Sequence, residues 1–269
     1  MIKYGFIGAG NMASAIIRGM NSKGFNMKNV FVTSKSFTSA ENLTKDCKAN
    51  ALKTNNEVVN CSDVLILAVK PNMLSDIIEN IKEDIKIKNP IIISIAAGKP
   101  LKYFSDILGE DISIIRVMPN INAKIGYSTS AFCTSKNVSA YQKDIVKNLF
   151  ESVGSIEEID EKFFDIYSVL GGASPAFAYL YIDAIARAAV KSGLPKKQAL
   201  ALSAKTVLGS AKMILESQEH PWELIDQVCS PGGTTIEGIH SLQSNSFEST
   251  ITKAFDCVLE KDRKISKNN

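Results

Sequence analysis

The string Gly8-Ala9-Gly10-Asn11-Met12-Ala13 stands almost at the amino end of the chain. It directly follows the short apolar run Lys3 to Ile7 and opens Met12 to Met20, whose apolar positions recur at helical spacing. Strand, glycine turn and helix in that order form the fingerprint G-x-G-x-x-G/A of a dinucleotide site. Gly8 permits the tight turn, Gly10 lets backbone approach a pyrophosphate, and Ala13 lets the helix pack close to the strand. The pyrophosphate would rest on the helix N-terminus, where free N–H groups and the helix dipole favour an anion. Taken alone, the string fits an ordinary glycine turn. The flanking strand and helix are what point to a bound dinucleotide.

The rest of the first half alternates in the same way. Val30 to Thr33, Val64 to Val69, Ile91 to Ile95 and Ile112 to Val117 read as strands, and Tyr127 to Cys133 alternates loosely. Met73 to Ile85 has helical spacing between them. Unbroken Val/Ile/Leu runs indicate strands covered on both faces, as in a parallel sheet built from βαβ units. Near Glu161 the strand runs stop and helical spacing takes over. Ser174-Pro175 reads as an N-cap followed by an N1 proline. The segment Pro175 to Ser192 is apolar or small on nearly every face, as in a helix buried between subunits. Gly193 ends it, Pro195 opens a second helix to about Ser217, and Pro221 opens a short third one.

These patterns divide the 269 residues into a dinucleotide-binding α/β domain, 1–160, and an all-helical domain, 161–269. The length suits two medium domains, since domains run at roughly 100–200 residues. The apolar fraction of 45% and charged fraction of 22% are ordinary globular values, against disorder or a fibre. A net charge of +3 is too small for a polyanion binder, so no nucleic-acid partner is expected. The lysine stretches Lys82 to Lys88 and Lys261 to Lys267 are interleaved with acids and read as solvated faces. The cysteines Cys47, Cys61, Cys133, Cys229 and Cys257 are scattered, odd in number and without a C-x-x-C pair. That argues against a disulfide framework or a metal site and fits reduced thiols in a cytoplasmic protein. The opening residues carry no basic leader, so no signal peptide is expected. No membrane span is expected either, because the longest apolar candidate, Ala176 to Val190, is broken by Asp183 and Arg187.

One absence bears on cofactor choice. An NAD site places Asp or Glu at the end of the second strand to bond the ribose 2′-hydroxyl. Here that place reads Thr33-Ser34-Lys35-Ser36. Hydroxyls and a cation at Ser34 and Lys35 suit a 2′-phosphate, so NADPH is expected, with NADH less favoured. A plain surface loop is the competing explanation. Ala68-Val69-Lys70-Pro71 and Ala96-Ala97-Gly98 also follow strands. Each alone is a short connection; together, at the carboxyl ends of strands, they leave room for ribose and nicotinamide.

A distant motif completes the pattern. Ser230-Pro231-Gly232-Gly233-Thr234-Thr235 is a proline–glycine–glycine turn leading into helical spacing from Ile236. Thr234 with Glu237 matches the capping box S/T-x-x-E. The same helix start is a ready site for a small carboxylate, with two hydroxyls beside it. On residue chemistry alone, cap and site stand equal. His220 and His240 are the only histidines and lack metal-ligand spacing; His220 before Pro221 reads as a helix start. Neither a Ser-His-Asp set nor paired catalytic carboxylates occur.

These strings resemble those of pyrroline-5-carboxylate reductases over essentially the whole length. The resemblance is carried by Gly8 to Met12, Ala68 to Pro71, Ser94 to Gly98, Met118-Pro119-Asn120, Pro175-Ala176-Phe177, Gly193-Leu194-Pro195, His220-Pro221 and Ser230 to Thr235. It implies an α/β Rossmann domain followed by an all-helical dimerisation domain. It implies NADPH held by Gly8, Ala9, Gly10, Asn11, Met12, Ser34, Asn55, Lys70 with its loop, and Ala96 with Ala97. It places the substrate carboxylate on Ser230, Gly232, Gly233 and Thr234, with Asp226 and Glu161 at further site positions. Thr235 would stand near the ring nitrogen as the catalytic hydroxyl. The implied partner is the cyclic imine acid, giving L-proline. The implied assembly is a homodimer through the helical domain, with a decamer of dimers as the larger form.

Two departures fall near the implied site. The family's usual threonine–proline after Pro119-Asn120 is Ile121-Asn122, and its usual Ser-Gly-Ser-Gly is Gly171-Gly172-Ala173-Ser174. Two other activities remain in view. A related imine or hydroxyacid dehydrogenase would share the domain plan, but hydroxyacid enzymes of this kind resemble each other in a catalytic lysine that Leu170 to Asp183 lacks. A non-catalytic NADP-binding relative would not need the intact Ser230 to Thr235 loop.

Overall fold

In the computed structural model, eight strands form one sheet in the order β3-β2-β1-β4-β5-β6-β7-β8. The structure describes residues 1–267, with side chains through Lys264, so the last two residues of the 161–269 span and the last side chains of the Lys261 to Lys267 run are not described. The strands are β1 (Tyr4–Ile7), β2 (Val30–Thr33), β3 (Asn50–Ala51), β4 (Val64–Leu67), β5 (Ile91–Ser94), β6 (Ile114–Met118), β7 (Ser128–Thr134) and β8 (Gly154–Glu158). Each expected strand is present, with ends shifted by a residue or two. The pair β6–β7 is antiparallel and every other pair is parallel. The central order 3-2-1-4-5-6 is that of a dinucleotide-binding sheet, whose switch point lies between β1 and β4.

The all-apolar strands explain themselves by their two covered faces. Along β4, Val64 and Ile66 point into one core while Leu65 and Leu67 point into the other. Helices α1 (Asn11–Ser22), α2 (Phe37–Cys47) and α6 (Ala140–Glu151) bury Ile16, Ile17, Met20, Leu43, Leu149 and Phe150 in the first core. Helices α3 (Asn55–Cys61), α4 (Leu74–Lys88) and α5 (Leu101–Leu108) bury Val58, Ile78, Ile81, Ile85, Phe104 and Leu108 in the second. Burying each such side chain contributes about 1.5–3 kcal/mol, so a sheet wrapped in this way stands on its own core. The outward face of α4 carries the expected solvated charges, with Lys82 on Glu79 and Lys86 on Glu83.

The chain forms two compact units: Met1–Gly172 with the segment from Leu259, and Ala173–Val258. The second is helical: α8 (Ser174–Lys191), α9 (Lys196–Ser217), α10 (Pro221–Val228), α11 (Thr234–Ser244) and the first part of α12 (Phe247–Lys267). α8 ends as expected at Gly193. The Gly193 N–H bonds the Val190 carbonyl and the Leu194 N–H bonds the Ala189 carbonyl, which is the Schellman pattern. α9 and α10 start at the expected prolines, and His220 caps α10 by accepting the Trp222 N–H while Glu223 accepts the His220 N–H.

Three expectations are corrected. Ser174 is not an N-cap. Chain from the short α7 (Phe164–Tyr167) runs through a π-helical turn, Ser168–Ala173, straight into α8. The wider turn lets Pro175 sit inside a continuing helix, relieving its clash with the carbonyl four residues back. Thr234 is not the cap of a capping box either, as shown below. Finally, the helical stretch Glu161–Lys191 is long and apolar enough, by length and composition, to cross a membrane. Asp183 and Arg187 lie within it and pair with each other one turn apart at 2.5 Å.

Candidate functional site

In the α/β unit, the loops after β1, β2, β4 and β5 leave the same edge of the parallel sheet. Gly8 sits at the end of β1 with φ +110°, a left-handed conformation that favours glycine. Its N–H bonds the Thr33 carbonyl at 2.8 Å, and a Cβ there would lie 2.4 Å from the Ala68 carbonyl oxygen. The first turn is therefore wedged between β2 and the Ala68 loop. Gly10 is the N-cap of α1, and no side chain caps it. A Cβ built on Gly10 meets nothing within 4 Å. Ala13 is buried against the sheet. The first turn of α1 carries no acid, and Asn11 is exposed with Met12 half-buried beside it.

The neighbouring α3 shows what this means. Its N-terminus is closed by a capping box between Thr54 and Glu57, with Asn55 as the first helical residue. α1 has no such closure, although its orphan N–H groups need partners. An uncapped N-terminus with open space above its glycine suits a pyrophosphate, which is the fit the dinucleotide requires. At the end of β2, Thr33 is buried and Ser34 donates to the Ser36 carbonyl at 2.6 Å, with Lys35 exposed beside it. No carboxylate stands there to repel a 2′-phosphate.

The next two loops line up in sheet order. Ala68 donates to the Ile7 carbonyl at 2.9 Å, Val69 packs on the second core, and Lys70 and Pro71 begin a short 3-10 turn. After β5, the Ala96 N–H bonds Ser94 Oγ at 3.3 Å, Ala96 is buried and Ala97 is exposed. Gly8 to Met12, Ser34, Lys35, Ala68 to Pro71, Ala96 and Ala97 thus share one edge of one sheet, while Asn55 follows β3 on the same side.

Glu161 has other engagements in this unit. Its Oε1 accepts the Leu101 N–H at 2.6 Å, at the first turn of α5, and lies 3.4 Å from Arg116 Nη1. Arg116 is 8% exposed, and its guanidinium lies 4.3 Å over the Phe164 ring. Cys133 stands opposite Arg116 across β6 and β7. Burial pushes the Cys133 thiol up to about 12; the Glu161 carboxylate adds to this and Arg116 opposes it. Tyr167 donates to the Thr129 carbonyl at 2.5 Å, and burial pushes its phenol up to about 12. Sequence reasoning missed this cluster. One signal was available: a lone arginine inside an otherwise apolar strand, since a buried charge must be paired.

In the helical unit, the loop between α10 and α11 is a tight turn. Gly232 has φ +68°, and the Gly233 N–H bonds the Ser230 carbonyl at 3.0 Å. A Cβ on Gly233 would lie 2.5 Å from Ser230 Oγ and 3.0 Å from the Ser230 carbonyl oxygen, so a side chain there would make Ser230 shift. α11 begins with Thr234 already helical, and its N-cap is Gly233, which has no side chain to offer. The expected Thr234–Glu237 capping box is therefore absent, because Gly233 occupies the cap position one residue earlier. Thr234 and Thr235 are exposed, and neither hydroxyl has a hydrogen-bond partner among the described residues. Asp226 is exposed on α10, its backbone carbonyl accepting the Cys229 N–H at 3.2 Å. This unit thus holds a helix start that, like α1, sits behind a glycine turn without a side-chain cap, and it carries two free hydroxyls.

Comparison with known proteins bears on both units. Residues 161–265 match the family model for pyrroline-5-carboxylate reductase dimerisation, and residues 3–98 match that for NADP oxidoreductase, coenzyme F420-dependent. The pyrroline-5-carboxylate reductase of Methanosarcina acetivorans is 39% identical over 98% of this chain and 98% of its own length. Among solved structures, the Plasmodium falciparum pyrroline carboxylate reductase with NADP bound is 33% identical, covers 98% of both chains and has a TM-score of 0.86. The Coxiella burnetii pyrroline-5-carboxylate reductase is 28% identical over 98% of both chains, with a TM-score of 0.93. With matches of this identity over nearly its whole length, the chain belongs to the pyrroline-5-carboxylate reductase family.

Proposed function

We propose that this protein reduces 1-pyrroline-5-carboxylate to L-proline with NADPH. The observation that carries this is the pair of helix starts behind glycine turns, α1 in a unit that matches an NADP oxidoreductase model and α11 in a stretch that matches the pyrroline-5-carboxylate reductase dimerisation model.

Residues Gly8 to Met12 hold the pyrophosphate on the N-terminus of α1. Ser34 and Lys35 hold the 2′-phosphate, Asn55 at the start of α3 also meets the cofactor, and the loops at Ala68 to Pro71 and at Ala96 and Ala97 hold the nicotinamide end. Bound NADPH supplies the hydride. In the helical unit, the free N–H groups of α11 and the turn at Ser230, Gly232, Gly233 and Thr234 hold the substrate carboxylate, with Asp226 nearby on α10. Thr235 steadies the ring nitrogen. The protonated imine already accepts hydride at carbon, and the product amine keeps that proton, so orientation is the main demand on the protein. This accounts for a site without a strong acid or base. Glu161 is left out of the substrate cradle because its carboxylate already serves Arg116 and the Leu101 N–H.

The working division of the chain is a cofactor domain at 1–160 and a substrate and dimerisation domain at 161–269, the latter starting where the dimerisation model starts. The exposed apolar surface of α8 and α9 supports a homodimer, and a decamer of dimers is the finer form that mass in solution would test. Five free thiols support a cytoplasmic location.

The test is product identification. The purified protein is given 1-pyrroline-5-carboxylate with NADPH or NADH, and L-proline is measured. Proline with NADPH, at lower rate with NADH, is the expected result. No proline from folded protein that binds NADPH would refute the activity, and a clear NADH preference would refute the phosphate assignment.

A further inference from the structure

The loop from Ile95 to Pro100 is tied at both ends. At the strand end, Ser94 Oγ accepts the Ala96 N–H at 3.3 Å. At the helix end, α5 has Pro100 as its N-cap, which offers no side-chain acceptor. Its first N–H, that of Leu101, is satisfied from 60 residues away by Glu161 Oε1 at 2.6 Å. A carboxylate in this place also complements the positive end of the helix. Glu161 sits there because Arg116 holds it. Arg116 rises from the middle of β6 with its side chain 10% exposed, stacks on Phe164, and reaches the same Oε1. β6 pairs Arg116 with Ser94 itself. Rigid sheet, guanidinium, carboxylate and helix N–H therefore form one chain of contacts that ends at the loop.

We propose that Arg116 and Glu161 are positioning residues for the Ile95 to Pro100 loop, fixing through the first N–H of α5 where Ala96 and Ala97 meet the nicotinamide end of the cofactor. This rests on the assignment of that loop to the cofactor. It also gives Glu161 a role in this reaction without contact to substrate. A buried arginine is expensive unless paired, so removing either partner releases the other as well as the loop.

The experiment compares two ligands by calorimetry. NADPH spans Gly8, Ser34 and the Ala96 loop, whereas 2′,5′-ADP reaches only the adenine end. Glu161→Ala and Arg116→Met should each weaken NADPH about tenfold and leave 2′,5′-ADP within about twofold. KM for NADPH should rise more than KM for the imine acid. Glu161→Gln keeps an oxygen for the Leu101 N–H and should lie near wild type, as the conservative control; if the harsher variants fail to fold, Arg116→Lys takes their place, with the same selective weakening of NADPH expected. Unchanged NADPH affinity in all variants would overturn the proposal, as would equal weakening of both ligands, which marks a merely structural pair. A rise confined to KM for the imine acid would make Glu161 a substrate contact instead. Failure of the wild-type protein to bind NADPH would remove the cofactor assignment and this proposal together, and it would show without any substitution.

Discussion

The two units keep their apolar residues in opposite places. In the α/β unit, the strands and their helices bury Phe6, Ile66, Leu67, Phe104, Phe132 and Phe150 almost completely. In the helical unit, Ala186, Ala199 and Ser203 are the only buried residues among those described. Its large side chains face outward instead: Leu180 is 71% exposed, Leu208 62% and Leu215 80%. One unit has its core inside. The other has the composition of a core and needs something to cover it, which exposed apolar patches usually signal. The same contrast holds for chemistry. The α/β unit offers backbone N–H groups in a wedge of glycines, while the helical unit offers hydroxyls at a helix start.

The contrast predicts unequal responses to substitution. Ile66→Ala, in the middle of β4, should cost about 2–5 kcal/mol in denaturant unfolding, because a wrapped strand leaves a cavity; a cost under about 1 kcal/mol would break the picture of a self-sufficient core. Leu180→Arg should barely alter folding of a free helical surface. If a second copy covers that face, self-association should weaken about a hundredfold, seen as a shift to monomer by light scattering. An unchanged mass would leave the apolar face without its proposed cover. Gly10→Ala places a methyl in open space at the N-cap of α1. Stability should stay within about 1 kcal/mol of wild type, while NADPH binding weakens at least about tenfold, or about 1.4 kcal/mol. Equal losses in both would mean that the glycine serves the fold and not the cofactor.

The smallest effect concerns pH. Cys133 and Tyr167 keep their protons to about 12 when folded, against ordinary values of 9.0 and 10.0. The unfolded chain releases those protons first, so it binds fewer protons at alkaline pH. Their stabilisation is complete below about pH 9 and is lost as pH rises toward about 12. Cys133→Ala should therefore flatten the alkaline decline in stability between pH 9 and 12 without removing the part due to Tyr167. A decline of undiminished slope would show that the buried thiol is not its source.

Much of this was legible in the amino-acid order. Strands covered on both faces read as unbroken apolar runs, so β1, β2, β4, β5 and β6 stood out. The two-residue β3 was too short to leave any pattern, and β8, Gly-Ser-Ile-Glu-Glu, has too little apolar content to look like a strand. Ser174-Pro175 misled because the same dipeptide suits a helix start and a continuing helix, and only the π turn before it decides. Thr234 misled in a similar way. A capping box needs the threonine just outside the helix, and a single-residue shift puts Gly233 there instead. That shift leaves the threonine hydroxyls without a capping role. The Arg116–Glu161 pair was hidden because its partners are 45 residues apart, and only the folded sheet brings them together.

The division of labour between the two units can be measured in one variant. Thr235→Ala removes a single exposed hydroxyl from the helical unit. Turnover with 1-pyrroline-5-carboxylate should fall by at least about tenfold, while NADPH binds as in the wild-type protein. Turnover at the wild-type rate, or NADPH affinity that falls in step with turnover, would contradict a substrate role confined to the helix start at Thr235.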